Sequence, residues 1–453
     1  MQVYCIRQVD LPYVKCPIPS RDPTFSFEQR GWNYIRDMKF LVSIFILGSV
    51  VGVVHSAWQA DPPFYAQQYA MVGGVRGLFV DPVGDLLALS PSREVFALYE
   101  ESNGDGTINV IQELIISSVG LALNHGLSFH DGFLYASSAN TVYRWPYTPG
   151  NRTQVTVGQE TVVNGMPSGG HNTRTIVFDE QGRLYVSVGS SVNVDGNSDR
   201  ARIRRFSLNG TLPIAFNTGE VFADGLRNEV GLAWDLNGVL HGVENGADAL
   251  NRPDIGGDVH NGNPAEEMNR FDQTVGTHYG YPYCFSTHNL TGQPAGTQYA
   301  WPTFMGDGTH TDTWCRNPLN NHPPLIPMPA HNAPLGVDFF RGQSCDVGEG
   351  AFPCNSTGAA VVAFHGSWNS VIPVGYRVGM FPFDSEGRPT GDEINVVYET
   401  PVATCYIRNC FRPVNAVFNA NGHLFVSDDA GGQIIKVTYG MAAKPIRNYV
   451  VRR

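Results

Sequence analysis

The sequence has little charge and lacks the short motifs that bind nucleotides or zinc. Only 16% of its 453 residues are charged and the formal net charge is −11, which argues against nucleic acid or an anionic membrane as a partner. No GxGxxG or GxxxxGK(S/T) segment follows a suitable strand, so a nucleotide-binding fold is not predicted. No two cysteines have CxxC spacing, which argues against zinc and thiol redox chemistry.

A long hydrophobic run is also missing. The apolar segment Phe40–Val54 has about 15 residues, whereas a membrane span needs about 20. A lysine precedes the segment and small residues follow it, which is typical of a secretory signal peptide over residues 38–56. Since no signal peptide begins so late, residues 1–37 are predicted to be a non-native or untranslated extension, with Met38 as the initiator. The alternative is a signal anchor with a short cytosolic tail.

The cysteines and asparagines also predict an extracellular glycoprotein without stable membrane association after signal cleavage. Beyond Cys5 and Cys16 there are six cysteines, and the lower cost of closing short loops favours pairing between neighbours. The predicted disulfides are Cys284–Cys315, Cys345–Cys354 and Cys405–Cys410. N-glycosylation acceptors occur at Asn151, Asn209, Asn289 and Asn355.

What the sequence contains in abundance is turn residues, with 50 glycines and 30 prolines. An apolar strand, a short Asp/Asn/Gly turn and a second strand recur about every 50 residues. Copies begin at Gly77, Gly126, Thr175, Gly231, Leu335 (diverged) and Ala416. Six such units predict an all-β, six-bladed β-propeller, here a single domain over residues 57–453. The wider spacing between Asn245 and Pro334 predicts a long loop insertion stapled by a disulfide.

Polar residues occur repeatedly at the strand ends of these units. They are Arg76, Asn124, His125, His171, Arg174, Arg227, Asn228, Glu244, Asn245, His331, Asn332, His365, Arg377 and Arg412. Loops at one end of a propeller commonly form its site. Several arginines around one axis indicate an anionic ligand with several carboxylate or phosphate oxygens.

Four long segments carry a resemblance to a known family. They are HNTRTIVFDEQGRLYVSVGS, GLRNEVGLAWD, AFHGSWNSVIPVGYRVGMFPF and RPVNAVFNANGHLFVSDDAGG. Together they resemble the secreted fungal pyranose dehydrogenases that use pyrroloquinoline quinone (PQQ), and the wider soluble glucose and sorbosone dehydrogenases. The similarity runs from Arg76 to Tyr439. It implies a six-bladed propeller that oxidises an anomeric or adjacent carbinol of a pyranose sugar by hydride transfer to PQQ, with a calcium ion.

The resemblance also implies roles for individual residues. His171 matches the family's general base, and Arg227 with Asn228 matches the pair that faces the quinone oxygens, where Arg227 would stabilise the charge of the reduced quinone. The cofactor-binding positions are Arg76, His125, Arg174, Arg227, Asn228, His365, Arg377 and Arg412. Glu244 and Asn245 lie in the segment that holds calcium, mainly through main-chain oxygens, in family members.

The sequence departs from the family in two ways. Ser190 stands where bacterial relatives have an aspartate that orients the histidine, so Asp195 or a main-chain carbonyl is expected to do this instead. After the last blade the chain ends with KPIRNYVVRR, which predicts neither a cytochrome nor a cellulose-binding module. Electrons are therefore expected to pass to an external acceptor: a copper polysaccharide oxygenase, a cytochrome or a quinone.

Two other functions fit a six-bladed propeller. One is a calcium-dependent lactonase or esterase, whose metal ligands are carboxylate and asparagine side chains that converge on the axis. The other is a non-catalytic module that binds protein or glycan. The predicted central residues are mainly histidine and arginine, which favours the anionic cofactor.

Overall fold

In the computed structural model of the protein, residues 58–91, 94–117, 119–405 and 410–452 are described, and their regular structure is almost entirely β-strand. The predicted signal peptide (38–56) and extension (1–37) lie outside these residues. The strands of the described ranges are β1 (Trp58–Gln59), β2 (Phe64–Met71), β3 (Gly77–Val80), β4 (Leu86–Ser90), β5 (Glu94–Ser102), β6 (Ile108–Ser117), β7 (Leu123–His130), β8 (Phe133–Ser138), β9 (Val142–Pro146), β10 (Glu160–Asn164), β11 (Ile176–Phe178), β12 (Leu184–Val188), β13 (Arg202–Phe206), β14 (Ile214–Ala215), β15 (Glu220–Asp224), β16 (Glu229–Trp234), β17 (Leu240–Glu244), β18 (Asn251–Arg252), β19 (Gly257–Asp258), β20 (Glu266–Arg270), β21 (Thr277–His278), β22 (Cys284–Ser286), β23 (Gln298–Ala300), β24 (Ile326–Met328), β25 (Pro334–Phe339), β26 (Ala360–Phe364), β27 (Arg377–Phe381), β28 (Ile394–Glu399), β29 (Pro413–Phe418), β30 (Leu424–Asp428), β31 (Gln433–Tyr439) and β32 (Ile446–Arg452). A short helix, α1 (Asp312–Cys315), and 3-10 turns at Phe216–Thr218, Pro253–Ile255, Cys354–Ser356 and Val402–Thr404 complete these ranges, in which no helix is long and apolar enough to cross a membrane.

The turns of four inner hairpins share one local sequence pattern. Between β11 and β12, the side chain of Asp179 accepts hydrogen bonds from the amides of Gln181 (3.1 Å) and Arg183 (2.8 Å). Gly182 completes the turn with a φ of 73°, which favours glycine. The same pattern recurs in other blades, beginning at Asp81, Asp235 and Asn419. The turn sequence thus fixes the hairpin without help from the rest of the fold.

Six sheets form the six blades. Their strand orders are β3-β4-β5-β6-β32, β7-β8-β9-β10-β14, β11-β12-β13-β15-β21, β16-β17-β20-β24, β25-β26-β27-β28-β1 and β29-β30-β31-β2. The innermost strands β3, β7, β11, β16, β25 and β29 each contact the next one, and β29 contacts β3, so the ring closes. The predicted six-bladed propeller is confirmed. The sixth blade joins β2, from the beginning of the domain, to the last three strands of the ring, and this pairing closes it.

The apolar core lies between neighbouring blades. The fifth and sixth blades, for example, bury Phe340, Phe352, Val361 and Val426 in one cluster. Because apolar side chains fill the spaces between sheets, the ends of the hairpins around the axis contribute little to this core. Polar residues are therefore tolerated there.

The stretch from Asn245 to Pro334 is only partly an insertion. It supplies β20 and β24, the two outer strands of the fourth blade, and β21, which adds to the third. The remainder contains α1 and the small sheet β22-β23, which the Cys284–Cys315 disulfide joins. The predicted pairs Cys345–Cys354 and Cys405–Cys410 are also confirmed.

Two positions in the repeat place side chains at one end of the propeller axis. One precedes the innermost strand of a blade and the other follows its second strand. These positions are hydrogen-bonded neighbours, as shown by the amide of Asn245 with the carbonyl of Asn228 (3.1 Å) and by His365 with Ala333 (2.9 Å). Since rotation about the axis relates the blades, equivalent positions lie at the same end.

Candidate functional site

His171 lies in the loop before β11, and Ser190 holds its imidazole. Nδ1 is 3.0 Å from the carbonyl oxygen of Ser190 and 3.0 Å from its Oγ, and that hydroxyl donates to the carbonyl of Val192. A carbonyl only accepts, so Nδ1 carries the proton and Nε2 keeps a free lone pair. Of the two groups expected to orient His171, the main-chain carbonyl does so.

Asp195 has other partners. Its carboxylate accepts hydrogen bonds from the amides of Ser191 (2.7 Å) and Asn197 (2.9 Å) and lies near Arg200. It therefore fixes the loop after Ser190. It makes no hydrogen bond to His171 within the described residues.

The electrostatics of this loop keep His171 neutral. Burial and the nearby charge of Arg227 lower the pKa of His171 to about 4. At neutral pH the imidazole is therefore unprotonated. It can accept a proton at Nε2.

Asn228 lies beside His171, on the other side of Gly189. A Cβ at Gly189 would lie 2.5 Å from Oδ1 of Asn228 and 2.8 Å from Cβ of His171. Only glycine allows this approach. The predicted base and the predicted quinone-facing pair are thus brought together.

The guanidinium of Arg227 lies against the loop after β17. Nη1 donates to the carbonyl oxygens of Gly246 (2.6 Å) and Asn245 (3.2 Å), and Nη2 pairs with Asp248 (3.3 Å) and Asn193 (3.1 Å). Two main-chain oxygens thus converge on one cationic nitrogen. Oxygens of this kind are the ligands that calcium prefers.

The side chains of Glu244 and Asn245, the two predicted metal residues, do not point toward these carbonyl oxygens. The carboxyl of Glu244 faces the interior of the fourth blade and accepts from the amide of Arg227 (2.5 Å) and from Asn269 (3.2 Å). The amide side chain of Asn245 binds Asn228 and the carbonyl of Pro334. Both side chains are therefore engaged within the protein, and calcium binding through main-chain carbonyls stays a prediction.

Another group, the cation cluster, consists of Arg76, His125, His365, Arg412 and Asp429. The Asp429 carboxylate binds Arg76 (2.5 Å) and Nε2 of His365 (2.9 Å), while Arg412 donates to Nδ1 of His365 (2.8 Å). His125 is close enough to Arg76 for that charge to act on its pKa. Among the described residues, Nη1 of Arg412, Nε of Arg76 and Nδ1 of His125 are buried and have no hydrogen-bond partner.

The cation cluster has a net positive charge. Burial and neighbouring arginines lower the pKa of His365 to about 4 and that of His125 to about 3, so both are neutral at neutral pH. Burial would raise the pKa of Asp429, but the bond from His365 and the nearby cations lower it overall. Two arginines thus face one carboxylate. The unpaired Nη1 of Arg412 and this excess charge fit a ligand with several carboxylates, as PQQ has.

Two predicted cofactor residues lie outside the cation cluster. Arg174 is fully buried and donates to the carbonyls of His171 (2.7 Å) and Pro167 (2.7 Å), so it braces the His171 loop. Arg377 begins β27, one strand further from the axis, and binds Glu393 and Asn332. Direct contact with an anion stays a prediction for both arginines.

Sequence reasoning missed three residues of the site. Asp429 follows β30, the same repeat position as Asn245 and His365, so the repeat itself contained the signal. Asn193 and Asp248 lie in irregular loops, where no periodicity marks them. His331, at a predicted strand end, binds the carbonyl of His260 and lies 3.7 Å from Asp248.

The chain matches the family described as TrAA12-like over residues 58–440. It is 31% identical over 419 residues to a pyrroloquinoline quinone-dependent pyranose dehydrogenase of Coprinopsis cinerea, covering 83% of this chain and 54% of that relative. It is 30% identical over 384 residues to a pyrroloquinoline quinone-dependent sugar dehydrogenase of Hypocrea jecorina, covering 79% of this chain and 84% of the relative. The chain thus spans about half the length of the first relative.

Two solved structures of similar proteins superpose on this chain over most of its length. The calcium structure of the Trichoderma reesei Carbohydrate-Active Enzymes Family AA12 protein superposes with a TM-score of 0.74 at 28% identity, over 85% of this chain and 98% of that chain. The holo form of the pyranose dehydrogenase PQQ domain from Coprinopsis cinerea superposes with a TM-score of 0.73 at 28% identity, over 84% and 97%.

Proposed function

Since the chain belongs to the TrAA12-like family, we propose that it is a sugar dehydrogenase that uses PQQ and calcium to oxidise an anomeric or adjacent carbinol of a pyranose. The observation that carries this proposal is the cation cluster, at the same end of the axis as a neutral His171. Its buried Arg412 Nη1 has no hydrogen-bond partner in the part of the chain that the structure describes. An anionic cofactor would pair with the cation cluster, and His171 can remove a proton.

The residues of the site fit both PQQ and calcium. Arg76 and Arg412 would hold cofactor carboxylates, and the carbonyl oxygens of Asn245 and Gly246 would bind calcium. When bound, PQQ would supply a hydride acceptor and calcium would polarise it.

The protein's own residues then do the acid–base work. His171 would accept the proton of the sugar hydroxyl at Nε2 while Ser190 keeps the proton on Nδ1. Arg227, beside His171, would stabilise negative charge that develops near it. Asn228 lies next to both and would orient the same region through its amide.

We also propose secretion and an external electron acceptor. Three disulfides within the described residues suit an oxidising compartment. The acceptor would be a copper polysaccharide oxygenase, a cytochrome or a quinone.

The test is a calorimetric titration of PQQ into protein expressed from Met38, in calcium buffer, followed by dye reduction with a panel of pyranoses. We expect one-to-one binding that a chelator abolishes, and sugar-dependent reduction. His171→Gln should keep PQQ binding but lose turnover by about 10²–10⁴-fold. Absence of PQQ binding would contradict the proposal and favour the lactonase, which a lactone panel would then detect.

A further inference from the structure

The fourth blade contains four buried glutamates close to Arg227. They are Glu229, Glu244, Glu266 and Glu267, each less than 9% exposed. Of the four, only Glu244 is among the residues predicted from the sequence. Burial raises the pKa of all four, to about 8 for Glu266 and about 7 for Glu267.

Glu266 differs from the other three because it joins two loops of the site. Its Oε2 accepts the amide of Gly246 (2.7 Å), in the loop after β17, and its Oε1 accepts the amide of Ala333 (3.3 Å), just before β25. A carboxyl group offers two acceptor oxygens in either protonation state. One side chain thus ties the fourth blade to the fifth at the axial end.

The bond to Gly246 also fixes the direction of a carbonyl. In a trans peptide the N–H of one residue and the C=O of the preceding residue point in opposite directions in one plane. Since Glu266 holds the N–H of Gly246, the carbonyl of Asn245 is directed to the other side. There it accepts from Arg227, beside the carbonyl of Gly246.

The second bond acts in the same way on the fifth blade. Glu266 holds the amide of Ala333, so the carbonyl of Asn332 points away from it and accepts from the amide of Gly366 (3.0 Å). Gly366 directly follows His365 of the cation cluster. The two halves of the site are therefore aligned through one side chain.

We propose that Glu266 is the positioning residue of the loop after β17: its bond to the Gly246 amide holds the Asn245 carbonyl, beside the Gly246 carbonyl, in the orientation that would bind calcium. Its bond to the Ala333 amide anchors this loop to the fifth blade. This inference rests on the proposed function, because it assigns the ion to those carbonyls. Glu266 would act through these two amides and not as a ligand of the ion.

The test compares Glu266→Gln with Glu267→Gln. A glutamine has one acceptor oxygen, and its NH₂ group would face the second amide, so one loop loses its anchor. Glu267 is a matched control: it is the next residue of the same strand, is equally buried and points to the opposite face, toward Ser286 and Asn269. Both substitutions should lower the unfolding temperature to a similar extent.

The readout is the calcium dissociation constant, obtained by titrating Ca²⁺ into chelator-treated protein with saturating PQQ and following PQQ absorbance. We expect Glu266→Gln to weaken calcium binding by about 10–100-fold, the usual effect of removing a residue that orients a ligand. Glu267→Gln should change it less than about threefold. If Glu266→Gln does not fold, Glu266→Asp, which keeps the carboxyl group but cannot span both amides, should still weaken calcium binding.

Three results would overturn the inference. The first is unchanged calcium affinity in a folded Glu266 variant, including Glu266→Asp. The second is an equal loss of calcium affinity in Glu266→Gln and Glu267→Gln. The third is failure of the unmodified protein to bind calcium and PQQ. The last would also remove the proposed function, whereas the first two would leave it standing.

Discussion

Replacing Ser190 by aspartate should raise the pKa of His171. Ser190 Oγ lies 3.0 Å from Nδ1, so a carboxylate at this position would lie within hydrogen-bond distance of the imidazole. Two opposite charges about 4 Å apart attract by about 4 kcal/mol at an effective dielectric constant of about 20, which corresponds to about three pH units. Because Ser190 is fully buried, the carboxylate's own desolvation offsets part of this gain. We therefore expect the pKa of His171 to rise from about 4 to about 5–6.

The assay is an NMR titration of the histidine Cε1 protons in cofactor-free protein, with His171→Gln to identify the resonance. Ser190→Asn is the control, because asparagine has the size of aspartate without its charge. Both side chains accept from Nδ1, so only the charge separates them. If the two variants titrate alike, charge is not what sets the pKa, and the account of the Ser190 departure would be refuted.

Three further predictions concern the cofactor, pH and the disulfides. Arg412→Gln should weaken PQQ binding by about 10–100-fold in calorimetry, since a charged hydrogen bond contributes about 1.5–3 kcal/mol. The control is Arg205→Gln, on an outer strand where Arg205 pairs with Glu220, and it should have no effect. Equal PQQ affinities of the two variants would contradict the assigned site. His365 has a pKa of about 4 when folded and 6.5 when unfolded, so its contribution to stability is complete above pH 6.5 and is lost as the pH falls toward 4, by about 3 kcal/mol. Urea unfolding across that range should therefore show a flatter profile for His365→Asn, and a parallel profile would argue against the assignment. Replacing Cys284 and Cys315 by alanine opens a loop of 31 residues and should lower the free energy of unfolding by about 4 kcal/mol. This loss should exceed that from opening the 9-residue loop of Cys345–Cys354 by about 1 kcal/mol, and the reverse order would contradict the chain-entropy argument.

The fold was largely predictable because its decisive signals are local. The Asx turn at Asp179 recurs in three other inner hairpins, and near-neighbour pairing gave all three disulfides. The outer strand β20 was not identified, because Glu266, Glu267 and Asn269 interrupt the apolar alternation that marks a strand. The pairing of β2 with β31 was not identified either, since register between distant segments leaves no local pattern.

The site was predictable in position but not in side-chain direction. The repeat indicated which residues stand at the axial end of the blades, and the structure places them there. Whether a side chain faces the axis depends on its partners from other segments. Arg377 binds Glu393, away from the axis, and Glu244 accepts from Asn269 within the fourth blade.

The apolar core and the axial ends of the hairpins are separate regions, which explains how the fold tolerates so much buried charge. Its apolar core lies between the blades, so a cation at a hairpin end displaces no core residue. The cost is local: an unpaired buried donor such as Arg412 Nη1 destabilises the folded state by about 1–3 kcal/mol. A bound polyanion would accept from this donor, so part of its affinity would come from removing that cost. The cation cluster is best understood as a preorganised site, because Asp429 and His365 already hold the two arginines in place before any ligand arrives.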